Sequence, residues 1–430
     1  MDNTFNIASV DKGVRLCSYK TSRFKTGRIS FNIALPLEEH AAKNAILPYI
    51  LNRSCEQFPN YIELNKKLAS LYGATLTPSV SKAGESHVLR LSMSMIDNKF
   101  ALSENEDIIL SCFDLLLNLV FSPNAKNGEF DEKTLDREKA LMLERIDGEM
   151  NDKRIYALRR LEENMFKNER FRVNAFGTKD EVEALTGKAV YDAWDNAIRT
   201  GRICVNIVGN TDIEKAKSML LERLSKIDRQ PIENLKDEII EKAETVERIE
   251  ETLPVKQGKL VMGFRAGMTS PEEFRKIKIM TDLFGGGTYS KLFMNVREKK
   301  SLCYYCSARF NRQKGAIIVQ SGIENKNAET AIKEILLQLQ AVADGEITTD
   351  DMNSSLLSMK DLYNSVCDTP EDIDIWCYSQ ITDDEFETPT EYLDALLKVT
   401  REDVIESAKK VTLDTIYLLK ADKSEEEAAE

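Results

Sequence analysis

The chain has 430 residues, 42% hydrophobic and 30% charged, and its 59 lysines and arginines against 72 aspartates and glutamates give a formal net charge of −13. The composition is globular, and at about 150 residues per domain it predicts two or three cores. The acidic balance argues against nucleic acid or an anionic membrane as principal partner, and no run of about 18 apolar residues offers a membrane span.

The N-terminal "MDNTFNIASVDKGVRLCSYK" has no basic segment leading into an apolar core, so it does not read as a signal peptide and the cytoplasm is the expected location. Eight scattered cysteines then read as buried thiols rather than a disulfide framework. The first strong strand is "RISFNIALPL", with Ile29, Phe31, Ile33 and Leu35 on one face. "PLEEH" at its end, Pro36 to His40, has the tail of an inverted H-x-x-E-H zinc motif, but it falls in a polar turn, where His40 is expected to be solvated. The chain has two histidines in all, His40 and His87.

From Ala42, "AKNAILPYILNRS" reads as helical, with Pro48 tolerable only in a first turn. A helix "IELNKKLASLYG" closes at Gly73, strands "ATLTPSV" and "ESHVLRLSMSM" follow, and helical stretches cover 104–121 and 131–168. A helix and strand, "LTGKAVYDAWDNA" and "RICVNIV", end the first half. The charged, proline-bracketed segment 229–255 reads as a linker.

The plan then recurs, with strand "KLVMGFRA", a helix opened by a Ser270/Glu273 capping box, helix "YSKLFMNVREKK", and strands "LCYYCSARF" and "AIIVQSGI". Thr186 superposes on Thr400 and Val190 on Val404 at one offset of 214 residues, a duplication signal. The expected fold is therefore α+β, with two homologous α/β domains, each a mostly antiparallel sheet backed by helices. The expected boundaries are 1–228 and 256–422, followed by a disordered acidic tail, 423–430.

Two motifs invite chemistry that their context does not support. Cys303-Tyr-Tyr-Cys306 has CxxC spacing, but there is no second CxxC and the stretch is strand-like, so plain buried thiols are expected. "GGGTYSK" lacks phosphate-loop spacing, so Gly285, Gly286 and Gly287 are expected to end one helix in left-handed geometry and let the next pack closely.

The stretch "FGGGTYSKLFMNVREKKSLCYYCSARF", with "QGKLVMGFR" upstream, resembles the C-terminal-domain signature of the insulinase-like, pitrilysin-type metallopeptidases, peptidase family M16, in its bacterial form. The resemblance implies a LuxS/M16-like fold. It also implies that Arg297 and Tyr304 reach a zinc site on an N-terminal domain, where they hold the substrate backbone and stabilise the oxyanion. A guanidinium fork and a phenol suit that task. Without the resemblance, Arg297 would be read as pairing with a carboxylate on its helix and Tyr304 as core.

On the zinc half, the family's H-x-x-E-H falls on Leu47, Ile50 and Leu51, which supply neither ligand nor base. In "EKALMLERI" the third-ligand glutamate is replaced by Arg145, while the second, non-ligand glutamate is retained as Glu138; a one-residue slip would bring in Glu144. A cation at a ligand position repels a metal. Where the family reads L-N-A on its substrate strand, this chain has Leu76-Thr77-Pro78, and Pro78 removes one N–H from that edge.

The implied function is that of a non-catalytic subunit of a heterodimeric zinc peptidase. No metal is expected in this chain and zinc is expected in an H-x-x-E-H-bearing paralogue, with peptide substrate in a shared chamber. Two alternatives stand beside it: a peptide-binding or scaffold protein, including a homodimeric one, without a proteolytic role, and an independent protease with other ligands.

Overall fold

The computed structural model describes residues 3–103, 106–232, 235, 237–268 and 270–422. The tail 423–430, expected to be disordered, lies outside the described residues. The alternating segments pair into two principal sheets. The first contains β1 (Phe5–Asp11), β2 (Val14–Tyr19), β3 (Thr26–Pro36), β4 (Thr75–Ala83), β5 (Ser86–Ile96) and β6 (Arg202–Val208), in the order β1-β2-β6-β3-β5-β4. Its one parallel pair is β2 with β6. Strand β3 keeps unbroken register with β5 from Thr26 opposite Ile96 to Pro36 opposite Ser86. The predicted face of Ile29, Phe31, Ile33 and Leu35 is buried in one cluster with the helix Ile108–Phe121. Pro78 sits on β4, an edge strand, where a missing N–H is tolerated.

The second sheet contains β7 (Glu247–Leu253), β8 (Gly258–Arg265), β9 (Cys303–Asn311), β10 (Ala316–Ile323) and β11 (Thr412–Ala421), in the order β9-β10-β8-β11-β7, with β7 and β11 parallel. The second half of the expected linker is thus strand β7. Its sequence, "ERIEETL", has two apolar side chains, Ile249 and Leu253, which pack towards the sheet. Its outward Arg248 and Glu250 pair with each other at 2.6 Å and with Glu329 and Lys420 on neighbouring elements. That charged outer face hid the strand from a hydrophobicity reading.

The duplication is visible in local chemistry. Thr186 accepts a hydrogen bond from the Ala189 N–H at 3.3 Å and Thr400 from the Asp403 N–H at 3.1 Å, so each caps its helix. Val190 and Val404 are fully buried below those caps. The two mixed sheets repeat a common order, with β7 matching β2 as the parallel neighbour of the closing strand.

The compact units are interleaved in sequence rather than contiguous over 1–228 and 256–422. One comprises Met1–Asp147, Val173–Lys236 and Ser365–Thr388, and the other Gly148–Arg172, Asp237–Asn364 and Pro389–Glu430. The helix Lys153–Met165 buries Ala157, Leu161 and Met165 against Val261, Tyr417 and Leu419 of the second sheet. The helix Pro370–Tyr378 buries Ile373 and Cys377 against Cys17, Tyr19, Ala34 and Cys204 of the first. Each sheet is therefore covered on both faces. Helical periodicity reveals an apolar face but not which sheet will receive it.

Each of these second-face helices brings a buried carboxylate to the sheet beneath. Asp374, with no exposure, accepts from Arg28 Nε at 3.0 Å, Ser30 Oγ at 2.5 Å, Asn206 Nδ2 at 2.8 Å and Arg90 Nη2. In the second unit, Glu169, just past its helix, meets Arg265 Nη2 at 2.8 Å and Lys314 Nζ at 2.6 Å, and Asp414 takes Arg265 Nε at 2.6 Å. Removing one member of such a set leaves opposite charge buried and unpaired. Asp374→Ala, which strands Arg90 and leaves Arg28 with Glu371 at 3.3 Å as its remaining carboxylate, is expected to lower the unfolding free energy by about 3 kcal/mol, measured by urea denaturation. Asp374→Asn, which keeps two acceptor–donor contacts, should lose less.

Candidate functional site

The segment expected to align with the zinc motif is a short apolar helix. Pro48 lies in the first turn of the short helix Leu47–Leu51, as the sequence required, and Leu47, Ile50 and Leu51 are all buried in the first unit's core. Arg145, on the helix Glu132–Asn151, is exposed and stacks its guanidinium 4.0 Å from the ring centroid of Tyr49. Glu138, two turns earlier on that helix, is buried and accepts from Arg53 Nε at 2.5 Å. Arg53 in turn lies 5.0 Å above the Tyr61 ring. Burial raises the Tyr49 phenol above its usual pKa, opposed by the Arg145 charge.

Two guanidinium–tyrosine stacks and one ion pair thus knit together the helices Leu47–Leu51, Tyr61–Ser70 and Glu132–Asn151. Neither leucine has a lone pair to offer, Arg145 is cationic, and Glu144 is exposed on its helix. The residues present do not fit zinc. Among the described residues, no group of three or more His, Cys, Asp or Glu side chains is placed to hold a metal ion.

The histidines lie elsewhere. His40 has a positive φ of 67° in the turn after β3 and a largely exposed side chain 3.7 Å from Glu181 Oε1. His87 is fully buried on β5, opposite Leu35 and Lys82. Burial lowers its pKa from 6.5 to about 4, against a smaller contribution from the Ala175 backbone. Sequence reasoning missed Tyr49 and Arg53. A search for metal ligands has no reason to stop at an arginine, and only the retained Glu138, an acid in need of a partner, pointed towards one.

In the second unit the signature folds around a π-helix, Leu292–Lys299, whose wider turns are rare and recur at functional sites. The preceding glycines do not leave the right-handed region as expected; Gly286 has φ −80° and ψ −39°. Their close packing does hold, since a Cβ on Gly285 would lie 2.6 Å from Ala308 Cβ and 2.9 Å from Leu292 Cδ1.

Arg297 is 39% exposed on the π-helix, 3.5 Å from Glu298 Oε1, with its guanidinium 4.5 Å from the Phe293 ring centroid. Tyr304 is 62% exposed on the edge strand β9. It is also a bulged residue: Cys303 faces Ile323 and Tyr305 faces Gly322, leaving Tyr304 without its own opposite number on β10. Between them lies Cys303, whose thiol is lowered to about 7 by a hydrogen bond with Cys306, with further help from Ser321 and the Arg297 charge, against the opposing effect of burial. The fold therefore gathers Arg297, Cys303 and Tyr304 at one end of β9, and places Leu47, Ile50, Leu51, Arg145 and Glu138 in the other unit.

Comparison with known proteins agrees with this architecture. A family profile described as "Peptidase M16 inactive domain" matches residues 184–357. A Bacillus subtilis (strain 168) protein named "Probable inactive metalloprotease YmfF" is 31% identical over 408 residues, spanning 93% of this chain and 94% of its own length. Among solved structures, a conserved protein from Enterococcus faecalis V583 superposes with a TM-score of 0.87 at 23% identity, covering 97% of this chain and 99% of that one. A peptidase M16 inactive domain from Pseudomonas fluorescens superposes with a TM-score of 0.77 at 14% identity, covering 97% and 98%.

Arg53→Leu, which leaves Glu138 buried without its cation, is expected to destabilise the first unit by about 3 kcal/mol, read as a shift in the denaturant midpoint. His87 supplies a pH dependence. Above pH 6.5 it is neutral folded or unfolded, and its contribution is constant. As pH falls from 6.5 towards 4, only the unfolded chain takes up the proton, so stability declines, by about 3 kcal/mol in all. Unfolding free energies measured across that window should fall less steeply in His87→Leu; an equal slope in both proteins would refute the assignment.

Proposed function

The chain belongs to the M16 peptidase family, and on that premise we propose that it is an inactive member that works as the non-catalytic subunit of a bacterial, cytoplasmic zinc peptidase. It binds a second family member bearing an intact H-x-x-E-H, and directs Arg297 and Tyr304 at the peptide held there. The observation that carries this reading is the state of Tyr304. Among the described residues, its hydroxyl makes no hydrogen bond, and its ring stands 62% exposed on a bulged edge strand. A tyrosine kept for packing is buried with its hydroxyl satisfied; this one is presented outward.

The chemistry asked of the pair is modest. Arg297, stacked on Phe293, is held in a limited set of orientations and supplies a fork of N–H donors. Tyr304 supplies one O–H donor. Aimed at a scissile carbonyl, such donors stabilise the charge that develops on oxygen, and because they are already positioned they need little rearrangement as it forms. Zinc, and the water it activates, belong to the partner in this reading. The replaced metal positions of this chain support that division of labour, as do the names given to its relatives. No helix among the described residues is long and apolar enough to cross a membrane.

The test mixes the purified chain with an H-x-x-E-H homologue from the same organism and follows an internally quenched peptide. Arg297→Ala and Tyr304→Phe should each lower kcat by about a hundred-fold, the scale of losing one oxyanion donor, while gel filtration shows the same complex as wild type. Unchanged turnover in both variants, or no complex with the wild-type chain, would overturn the proposal and leave the peptide-binding or scaffold reading.

A further inference from the structure

We propose that Cys303 and Cys306 are a reversible dithiol–disulfide couple at the edge of the second sheet, oxidised by small hydroperoxides. Residues three apart on a regular strand point to opposite faces. The bulge changes that geometry. Cys303 faces Ile323, Tyr305 faces Gly322 and Cys306 faces Ser321, so the extra residue at 304 turns Cys303 onto the face of Cys306. Both side chains pack against one apolar cluster, Cys306 within it and Cys303 at its margin.

The site can also move enough to close the bond. Cys303 is the first residue of β9, and β9 is the sheet's edge. Drawing the two sulfurs to a bond of about 2.05 Å therefore disturbs the first ladder pair and the bulge, not the sheet interior. The residue that must shift with them is Tyr304.

Reactivity separates Cys303 from the other cysteines. It is half-buried, and its ionisation near 7 leaves a large thiolate fraction at neutral pH. Cys17, Cys204 and Cys377 are buried with raised pKa values, burial pushes Cys112 up to about 12, and Cys55 and Cys367 are raised as well. In the first step the Cys303 thiolate attacks one peroxide oxygen. The O–O bond breaks, the leaving oxygen takes a proton to become water, and Cys303 becomes a sulfenic acid. Cys306 then attacks that sulfur; the S–S bond forms, the S–O bond breaks, and the Cys306 proton leaves with the hydroxyl as a second water. Two thiols give up two electrons and one hydrogen peroxide accepts them. The couple does not depend on whether the chain lends Arg297 and Tyr304 to a partner.

The experiment treats the full-length chain at neutral pH with a small excess of hydrogen peroxide, blocks the remaining thiols by alkylation, and digests with trypsin. The peptide Ser301–Arg309 contains these two cysteines and no others. It is expected to appear unalkylated and lighter by two hydrogens before any other cysteine is oxidised, and to return to the dithiol with dithiothreitol. In Cys306→Ser the first step stops at a sulfenic acid that dimedone traps on Cys303. Oxidation of Cys367 ahead of this pair, or stable oxygen addition to Cys303 in the wild type without loss of the two hydrogens, would overturn the proposal. The wild-type measurement decides it even if a variant fails to fold.

Discussion

Asp374 is a carboxylate with no contact to water that satisfies four donors from β3, β5 and β6 at once. Burying a charge is tolerable only when its partners are complete and well aimed, so this one group fixes where the helix Pro370–Tyr378 lies on the first sheet. Arg90, also stacked 4.4 Å from the Tyr378 ring, ties the same helix at its far end. The second unit repeats the device with Glu169 facing Arg265 and Lys314. In both, the acid comes with the covering helix and meets arginines of the sheet, joined in the second unit by Lys314 from the turn between β9 and β10. Apolar contact alone would allow either helix to slide or rotate on its sheet; the ion clusters specify one placement.

The same economy of means describes the positions that the family resemblance assigns to the metal. Where a bound zinc would cross-link helices, the leucines at 47 and 51 give cohesion by burial, and Arg145 and Arg53 give it by stacking and pairing. The buried carboxylate of Glu138 is compensated by Arg53. These helices are held together by the interactions of an ordinary protein interior.

Much of this was legible beforehand. The face of β3, the threonine caps at 186 and 400 and the duplication all depend on local spacing, which sequence displays directly. What was hidden depends on distant partners or on departures from regular geometry. Arg28 and Asp374 are 346 residues apart, and neither has a sequence neighbourhood that announces the other. Strand β7 was masked by its charged outer face. The π-helix shares the apolar spacing of an α-helix over so short a run, and the bulge at Tyr304 leaves no compositional mark. Yet the bulge decides both the exposure of Tyr304 and the pairing of the two cysteines beside it.

The interleaving of the compact units also sets a schedule for the growing chain. The first sheet has all its strands once Val208 has been made, but the helix that covers its second face begins at Pro370. Until then Arg28, Arg90 and Asn206 face solvent or chaperone without their carboxylate. Contacts of such long sequence separation form slowly, so a nascent chain must carry an unfinished sheet through most of its own synthesis. A fragment cut within 229–255, where two separate domains would normally be divided, would be left unfinished permanently.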